Sequence, residues 1–248
     1  MIEANDLHFT YPDGTQALRG VTFRIATPAF VVVCGANGQG KTTLLHLLAG
    51  LFRPDAGSLR LLGLDPAGDA QAVRARVGLV FQDPDSQILG ETVGEDVAFG
   101  PENLGLSKAE VRQRVQAALA RFGLESLRDK PCYALSGGEK RRVALAGVLA
   151  ADPSVILFDE PFTHLDWPGS RALLDLLLNL RREGRTVVVS THDVEKVLAH
   201  ADRVMVLQGG RLADEGPPSE VALRLGRHGV RPPCSVLLGK GLQPWPAG

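Results

Sequence analysis

FVVVCGANGQGKTTLLHLL, residues 30–48, decides the fold. Phe30 to Cys34 is a β-branched run that stops at Gly35, and from Thr42 to Leu51 the residues Leu44, Leu45, Leu47, Leu48 and Leu51 recur at helical spacing. The order is strand, glycine loop, helix. The loop between them, GANGQGKTT (Gly35 to Thr43), fits G-x-x-x-x-G-K-[ST] in the context that the pattern needs. Gly35, Gly38 and Gly40 let backbone N–H groups curl around phosphate oxygens, and Ala36, Asn37, Gln39 and Thr43 belong to the same cradle. The helix N-terminus behind the loop favours negative charge. Lys41 is expected to reach the β- and γ-phosphates of a nucleotide and Thr42 to ligate Mg²⁺. In the loop only the backbone of Gln39 is needed, so its amide is expected to be dispensable.

Working outward, Val77–Phe81, Val155–Phe158, Val187–Ser190 and Val204–Leu207 are short and almost wholly apolar, the pattern of a parallel sheet with both faces covered by helices. A leucine-rich helix is expected from Pro168 to Glu183. Ser107 with Glu110 forms a capping box ahead of Val111, Val115, Leu119 and Phe122. The expected fold is α/β, with a P-loop NTPase core on a mainly parallel sheet, an N-terminal antiparallel β subdomain turning at Asp13-Gly14, and an inserted helical subdomain at about 87–152. Residues 1–216 read as the nucleotide-binding unit and 217–248 as a short, irregular, Pro/Gly-rich extension.

VILFDEP (Val155 to Pro161) delivers two carboxylates at a strand end, the edge where α/β sheets bind ligands. Asp159 is placed to hold Mg²⁺ through water and Glu160 to polarise the attacking water, since phosphoryl transfer depends on positioning and charge more than on covalent chemistry.

Composition limits the other possibilities. The 248 residues carry a formal net charge of −1 with no basic stripe, which argues against nucleic acid as a partner. Cys34, Cys132 and Cys234 lie far apart and show no CxxC spacing, which suggests a reduced compartment and no zinc site. No apolar run reaches membrane-spanning length, and the N-terminus MIEANDLHF is not a leader, so a mature cytosolic chain is expected.

LSGGEKRR (Leu135 to Arg142) places Ser136, Gly137, Gly138 and Glu139 before a long helical run and makes a second backbone-rich helix N-terminus suited to an anion. Two phosphate cradles in one chain suit a head-to-tail dimer in which each ATP lies between the Gly35–Thr43 loop of one subunit and the Ser136–Glu139 turn of the other.

With these motifs the sequence resembles the ATP-binding cassette family from Ile2 to about Gly216. The resemblance implies that LSGGEK is the family signature and that Tyr11 in FTYPDG stacks on adenine, although Phe9 and Tyr11 alternate and could both pack inward. It makes Gln82 the glutamine facing Mg²⁺ and the attacking water, FTHLD (Phe162 to Asp166) the D-loop with Asp166 at the nucleotide, and His192 in VVVSTHD the histidine that senses the γ-phosphate. His164 stands where the family usually has a small residue, which implies either an imidazole near the dimer seam or a solvent-facing side chain.

FQDPDSQI (Phe81 to Ile88) followed by ETVGEDVAFGPENLGL (Glu91 to Leu106) resembles the energy-coupling factor subgroup of importers. That resemblance implies an integral membrane T component docking on Asp83 to Gln87, with Gln87 alternatively a solvated loop residue. It also implies an S component that binds the cargo, and a peripheral position on the cytoplasmic face of the membrane. The short segment after Gly216 is more like the ATPases dedicated to cobalt or nickel, paired as homodimers, than the longer shared ones. A biotin or other vitamin importer, another ABC transporter, and a soluble cassette ATPase stand as alternatives. The six histidines form no ligand cluster for a metal cargo.

Overall fold

A computed structural model describes residues 1–245. Two sheets organise it. Strands β1 (Ile2–Thr10), β2 (Gln16–Ile25) and β4 (Ala56–Leu61) form an antiparallel sheet in the order β2-β1-β4. The expected N-terminal hairpin therefore gains a third strand from beyond the phosphate loop. Its turn is where the Asp13-Gly14 signal puts it: Gly14 has φ 87 and the Asp13 carboxylate accepts from the Thr15 N–H at 2.9 Å.

Strands β3 (Phe30–Cys34), β5 (Val77–Val80), β6 (Val155–Asp159), β7 (Thr186–Thr191), β8 (Arg203–Gln208) and β9 (Arg211–Gly216) form the second sheet, in the order β5-β6-β7-β3-β8-β9. The first five are parallel, and β9 runs antiparallel to β8 at the edge. In the register of the parallel strands Cys34 pairs with Thr191 and Asp159 with Ser190, so the carboxyl ends of β3, β6 and β7 finish level. That alignment makes the site, because the residues following each strand emerge at one edge.

Helices follow as α1 (Lys41–Leu48), α2 (Ala70–Arg74), α3 (Val93–Asn103), α4 (Lys108–Phe122), α5 (Gly137–Ala150), α6 (Trp167–Arg182), α7 (Pro218–Val221) and α8 (Cys234–Leu237). Helix α1 is shorter than its leucine spacing suggests. Gly50 turns the chain with φ 68, and Leu51, expected on the buried face, is 48% exposed.

Alternate residues of the buried strands feed two cores. Val31, Val33, Leu157 and Val188 face α1 and the antiparallel sheet, whereas Val32, Ile156, Phe158 and Val189 face α6. One face of the parallel sheet is thus shared by a helix and a second sheet instead of being covered by helices alone. On the other, α6 buries Leu173, Leu174, Leu177 and Leu180, each contributing about 2 kcal/mol; a charge at Leu177 would break this face.

Helices α3, α4 and α5 enclose a third core built on Val97, Val115, Leu119 and Val143. Both bonds of the Ser107–Glu110 capping box are made at the start of α4. The extension after Gly216 is not an irregular appendage: Val221, Leu225 and Val230 are buried in the α6 core, and Val236, Leu242 and Trp245 pack against it. No helix among the described residues is long and apolar enough to cross a membrane.

Candidate functional site

The phosphate loop is shaped by close backbone approaches that only glycine allows. A Cβ at Gly40, whose φ is 94, would fall 2.5 Å from the Ala17 carbonyl oxygen, and one at Gly35 would fall 2.4 Å from that of Leu207. The loop is therefore held against both sheets. Gln39, expected to matter only through its backbone, also accepts from the Gly209 N–H with its side chain. Beneath the loop, burial pushes the Cys34 thiol up to about 12, which leaves it inert.

Lys41, the first residue of α1, is buried. Its Nζ donates to the Gly35 and Ala36 carbonyls at 2.9 and 3.1 Å and lies 3.3 Å from Glu160 Oε1. Thr42 Oγ1 donates to Asp159 Oδ2 at 2.7 Å. Residues 117 positions apart thereby converge at the carboxyl edge of the sheet. Thr42 and Asp159 present hard oxygen donors side by side, a set that fits Mg²⁺ completed by phosphate and water.

Glu160 is 8% exposed and adopts φ 44, the left-handed region, while its N–H donates to the Ser190 carbonyl at 3.0 Å. That turn carries its carboxylate back over the strand ends. Oε2 lies 3.0 Å from His192 Nδ1 and accepts from the His192 N–H at 3.3 Å. Lys41, Glu160 and His192 thus form one chain of polar contacts, and the half-exposed imidazole makes its outer end.

Ser190 is a residue that sequence reading passed over. Its hydroxyl donates to Asp159 Oδ1 and accepts from the Glu160 N–H at 3.3 Å, so it orients both carboxylate residues. The signal was available, since Ser190 directly follows the run Val187 to Val189 and precedes Thr191-His192.

Tyr11 lies beside the loop. Its hydroxyl is 2.9 Å from Thr43 Oγ1, and its half-buried ring meets Phe9 edge-on at 5.1 Å and Phe52 at 6.0 Å. The ring is packed on neighbours, as the inward alternative expects, and its hydroxyl reaches the loop.

The second cradle lies elsewhere. Ser136 and Glu139 cap α5 reciprocally, with Ser136 N–H to Glu139 Oε2 at 2.7 Å and Glu139 N–H to Ser136 Oγ at 3.3 Å. Those bonds hold the Glu139 carboxyl below the usual carboxylate range. Gly137 and Gly138 are exposed, with open space where a side chain would stand. They border a cleft of about 650 Å³ with Gln82, Arg141, His164 and Asp166. Among the described residues this cluster shares no hydrogen bond with the Gly35–Thr43 loop.

Gln82 and Asp166 border the cleft at the second cradle, and Gln87 sits differently from expectation. Gln82 is exposed at that cleft and makes no side-chain hydrogen bond with Thr42 or Asp159. The Asp166 carboxylate caps α6, accepting from the Gly169 N–H at 2.8 Å. Gln87 turns inward: its oxygen accepts from the Phe81 N–H at 3.0 Å, and its amide donates to the carbonyls of Leu79 and Ala144 at 3.4 and 3.3 Å. Where β5 ends, these half-buried backbone groups need partners, and Gln87 supplies them.

A second residue absent from the sequence reading is Arg141 in α5. Its guanidinium donates to the Pro161 carbonyl at 2.8 Å and the Thr163 carbonyl at 3.1 Å, and burial pushes its pKa down.

Residues 18–163 match the family model described as ABC transporter. The chain belongs to the ABC transporter family. The ABC cassette is 46% identical over 224 residues to the energy-coupling factor transporter ATP-binding protein EcfA of Methanocaldococcus jannaschii, covering 89% of this chain and 80% of that protein. It is 46% identical over 243 residues to the cobalt import ATP-binding protein CbiO of Rhodobacter capsulatus, covering 95% and 86%. Among solved structures it resembles a dimeric ATP-binding cassette in a post-hydrolysis state with ADP and Pi, with a TM-score of 0.79, 30% identity and coverage of 88% and 99%. As an ABC ATPase, the protein binds ATP and hydrolyses it in step with transport.

Proposed function

We propose that this protein is the ATP-hydrolysing subunit of an energy-coupling factor importer that takes up cobalt or nickel ion. The observation that carries the enzymatic half is the convergence of Thr42 with Asp159 at 2.7 Å and of Lys41 with Glu160 at 3.3 Å on one sheet edge. The kinship with EcfA and CbiO supports the importer and the metal cargo.

In this reading the Gly35–Thr43 loop binds the phosphates of ATP and Lys41 neutralises the β- and γ-phosphates. Thr42 and Asp159, joined by Gln82, are the residues that would hold Mg²⁺, which would supply charge neutralisation of the triphosphate. Glu160 orients and polarises the attacking water, and His192 hydrogen-bonds the γ-phosphate and registers its loss. Tyr11 stacks on the adenine.

The separation of the two cradles within one chain supports a head-to-tail homodimer. Ser136, Gly137, Gly138 and Glu139 of one subunit then complete the nucleotide site of the other, and Asp166 lies at that seam. Residues 1–216 form the nucleotide-binding unit, with its helical part at about 87–152.

Apolar side chains support a membrane partner. Leu51, Leu89 and Phe99 are 48%, 68% and 49% exposed around one groove that Leu79, Phe81 and Ala144 also line. Such a grouping is a surface for a partner of matching character, here the T component on the cytoplasmic face of the membrane, with the S component carrying the cargo.

Detergent-solubilised membranes containing the tagged protein test the assembly: it should co-purify with an integral membrane protein, and its loss should abolish uptake of labelled cobalt or nickel. Absence of any integral partner defeats the transport reading. Intact metal uptake with loss of a vitamin's uptake defeats the cargo.

A further inference from the structure

In the turn from Glu160 to Leu165 the first four carbonyls alternate in their partners. Those of Glu160 and Phe162 accept from within the turn, from the N–H groups of Thr163 at 3.2 Å and Leu165 at 3.3 Å. Those of Pro161 and Thr163 point the other way and accept from the two terminal nitrogens of Arg141, at 2.8 and 3.1 Å. A single planar guanidinium thus satisfies two outward carbonyls spaced two residues apart, a geometry suited to a fork and not to a point charge.

The turn is also bracketed by two residues in left-handed backbone conformation, Glu160 at φ 44 and His164 at φ 61. Neither is glycine, so the conformation persists only where its surroundings over-determine it. Phe162, buried at the middle of the turn, supplies one anchor and Arg141 the other. Arg141 further belongs to α5, the helix whose first turn is the second cradle, and it borders the same cleft as Gly137, Gly138 and His164.

We infer that Arg141 is a positioning residue for ATP hydrolysis: it clamps the Glu160–Leu165 turn to the helix that opens at Ser136, and so holds the Glu160 carboxylate in its reactive place. The inference rests on the proposed role of Glu160 as the group that orients water. Movement of the second cradle, in this arrangement, is transmitted through one side chain to the turn that carries Glu160.

The test compares Arg141→Met, Arg141→Lys and Glu160→Gln, measuring the MgATP dependence of hydrolysis and the equilibrium binding of a fluorescent ATP analogue. Arg141→Met should lower kcat roughly 10- to 100-fold, the scale of a small misplacement near the chemistry, with analogue affinity unchanged. Arg141→Lys should fall between it and the parent. Wild-type kcat in Arg141→Met overturns the inference. So does a parallel loss of kcat, affinity and thermal midpoint in which lysine does no better than methionine, the pattern of a merely structural contact. Should Arg141→Met not fold, Arg141→Lys decides alone: reduced kcat at unchanged affinity supports the clamp, and wild-type kcat overturns it. Glu160→Gln separates the two readings. If it still hydrolyses ATP, the role of Glu160 has failed and the clamp with it. If it is inactive while Arg141→Met is normal, only the clamp has failed.

Discussion

Gln87 and Ala144 are joined by a hydrogen bond of 3.3 Å from side-chain amide to backbone carbonyl, which ties the loop after β5 to the middle of α5. Since Gln87 also accepts from the Phe81 N–H, Gln87→Ala should destabilise the fold by about 1–2 kcal/mol, the cost of leaving such groups unpaired. A lower urea midpoint at unchanged slope checks this. Gln82→Ala, at an exposed position, should leave that midpoint alone and slow hydrolysis instead.

Glu160→Gln keeps the shape of the side chain and removes its charge from beside Lys41 and His192. ATP binding should persist while turnover falls by roughly 10²- to 10⁴-fold. With hydrolysis stopped, the two-cradle dimer should accumulate in MgATP and elute earlier on a sizing column. A variant that binds ATP and stays monomeric would contradict the dimer.

Ser190→Ala removes the hydroxyl that donates to Asp159 and supports the Glu160 N–H. Groups standing behind a metal ligand typically cost 10- to 100-fold when lost. The Mg²⁺ concentration needed for half-maximal hydrolysis should rise by about that range, while ATP binding measured without Mg²⁺ stays the same.

Stability should fall on the acid side through two histidines. Burial lowers the pKa of His46 and His200 below 6.5, so the unfolded chain takes up protons that the folded one resists. Their contribution is complete above pH 6.5 and is lost as pH falls towards the folded pKa values. His46 packs edge-on against Phe52 at 5.0 Å, and its Nδ1 is buried without a partner. His46→Leu should therefore flatten the decline in urea midpoint between about pH 7 and 5.5.

The Gly35–Thr43 loop was readable because its pattern is local: three glycines, a lysine and a threonine lie within one strand, turn and helix. The Asp159-Glu160 pair was readable because a run of apolar residues delivered it to a strand end. Gln87 was not, since its decisive partner, the Ala144 carbonyl, lies 57 positions away and a glutamine in a polar turn looks solvated. Arg141 was hidden likewise, in a run of charges from Glu139 to Arg142 in which no periodicity singles it out. Strand β9 escaped because its residues are alternately exposed and half-exposed at a sheet edge, without an apolar face to announce it. The extension after Gly216 reads as irregular from its prolines and glycines, yet isolated apolar residues without a period suffice to dock it on α6.

The chain has two tryptophans, and the fold brings them together. Trp245 of the extension stands 6.1 Å from Trp167, which follows Asp166 at the start of α6 and carries Arg171 at 4.8 Å over its ring. All indole fluorescence of the protein therefore arises at one junction, between the end of the turn that carries Glu160 and the last described residue. Without any label attached, the emission spectrum reports whether that junction opens when nucleotide binds.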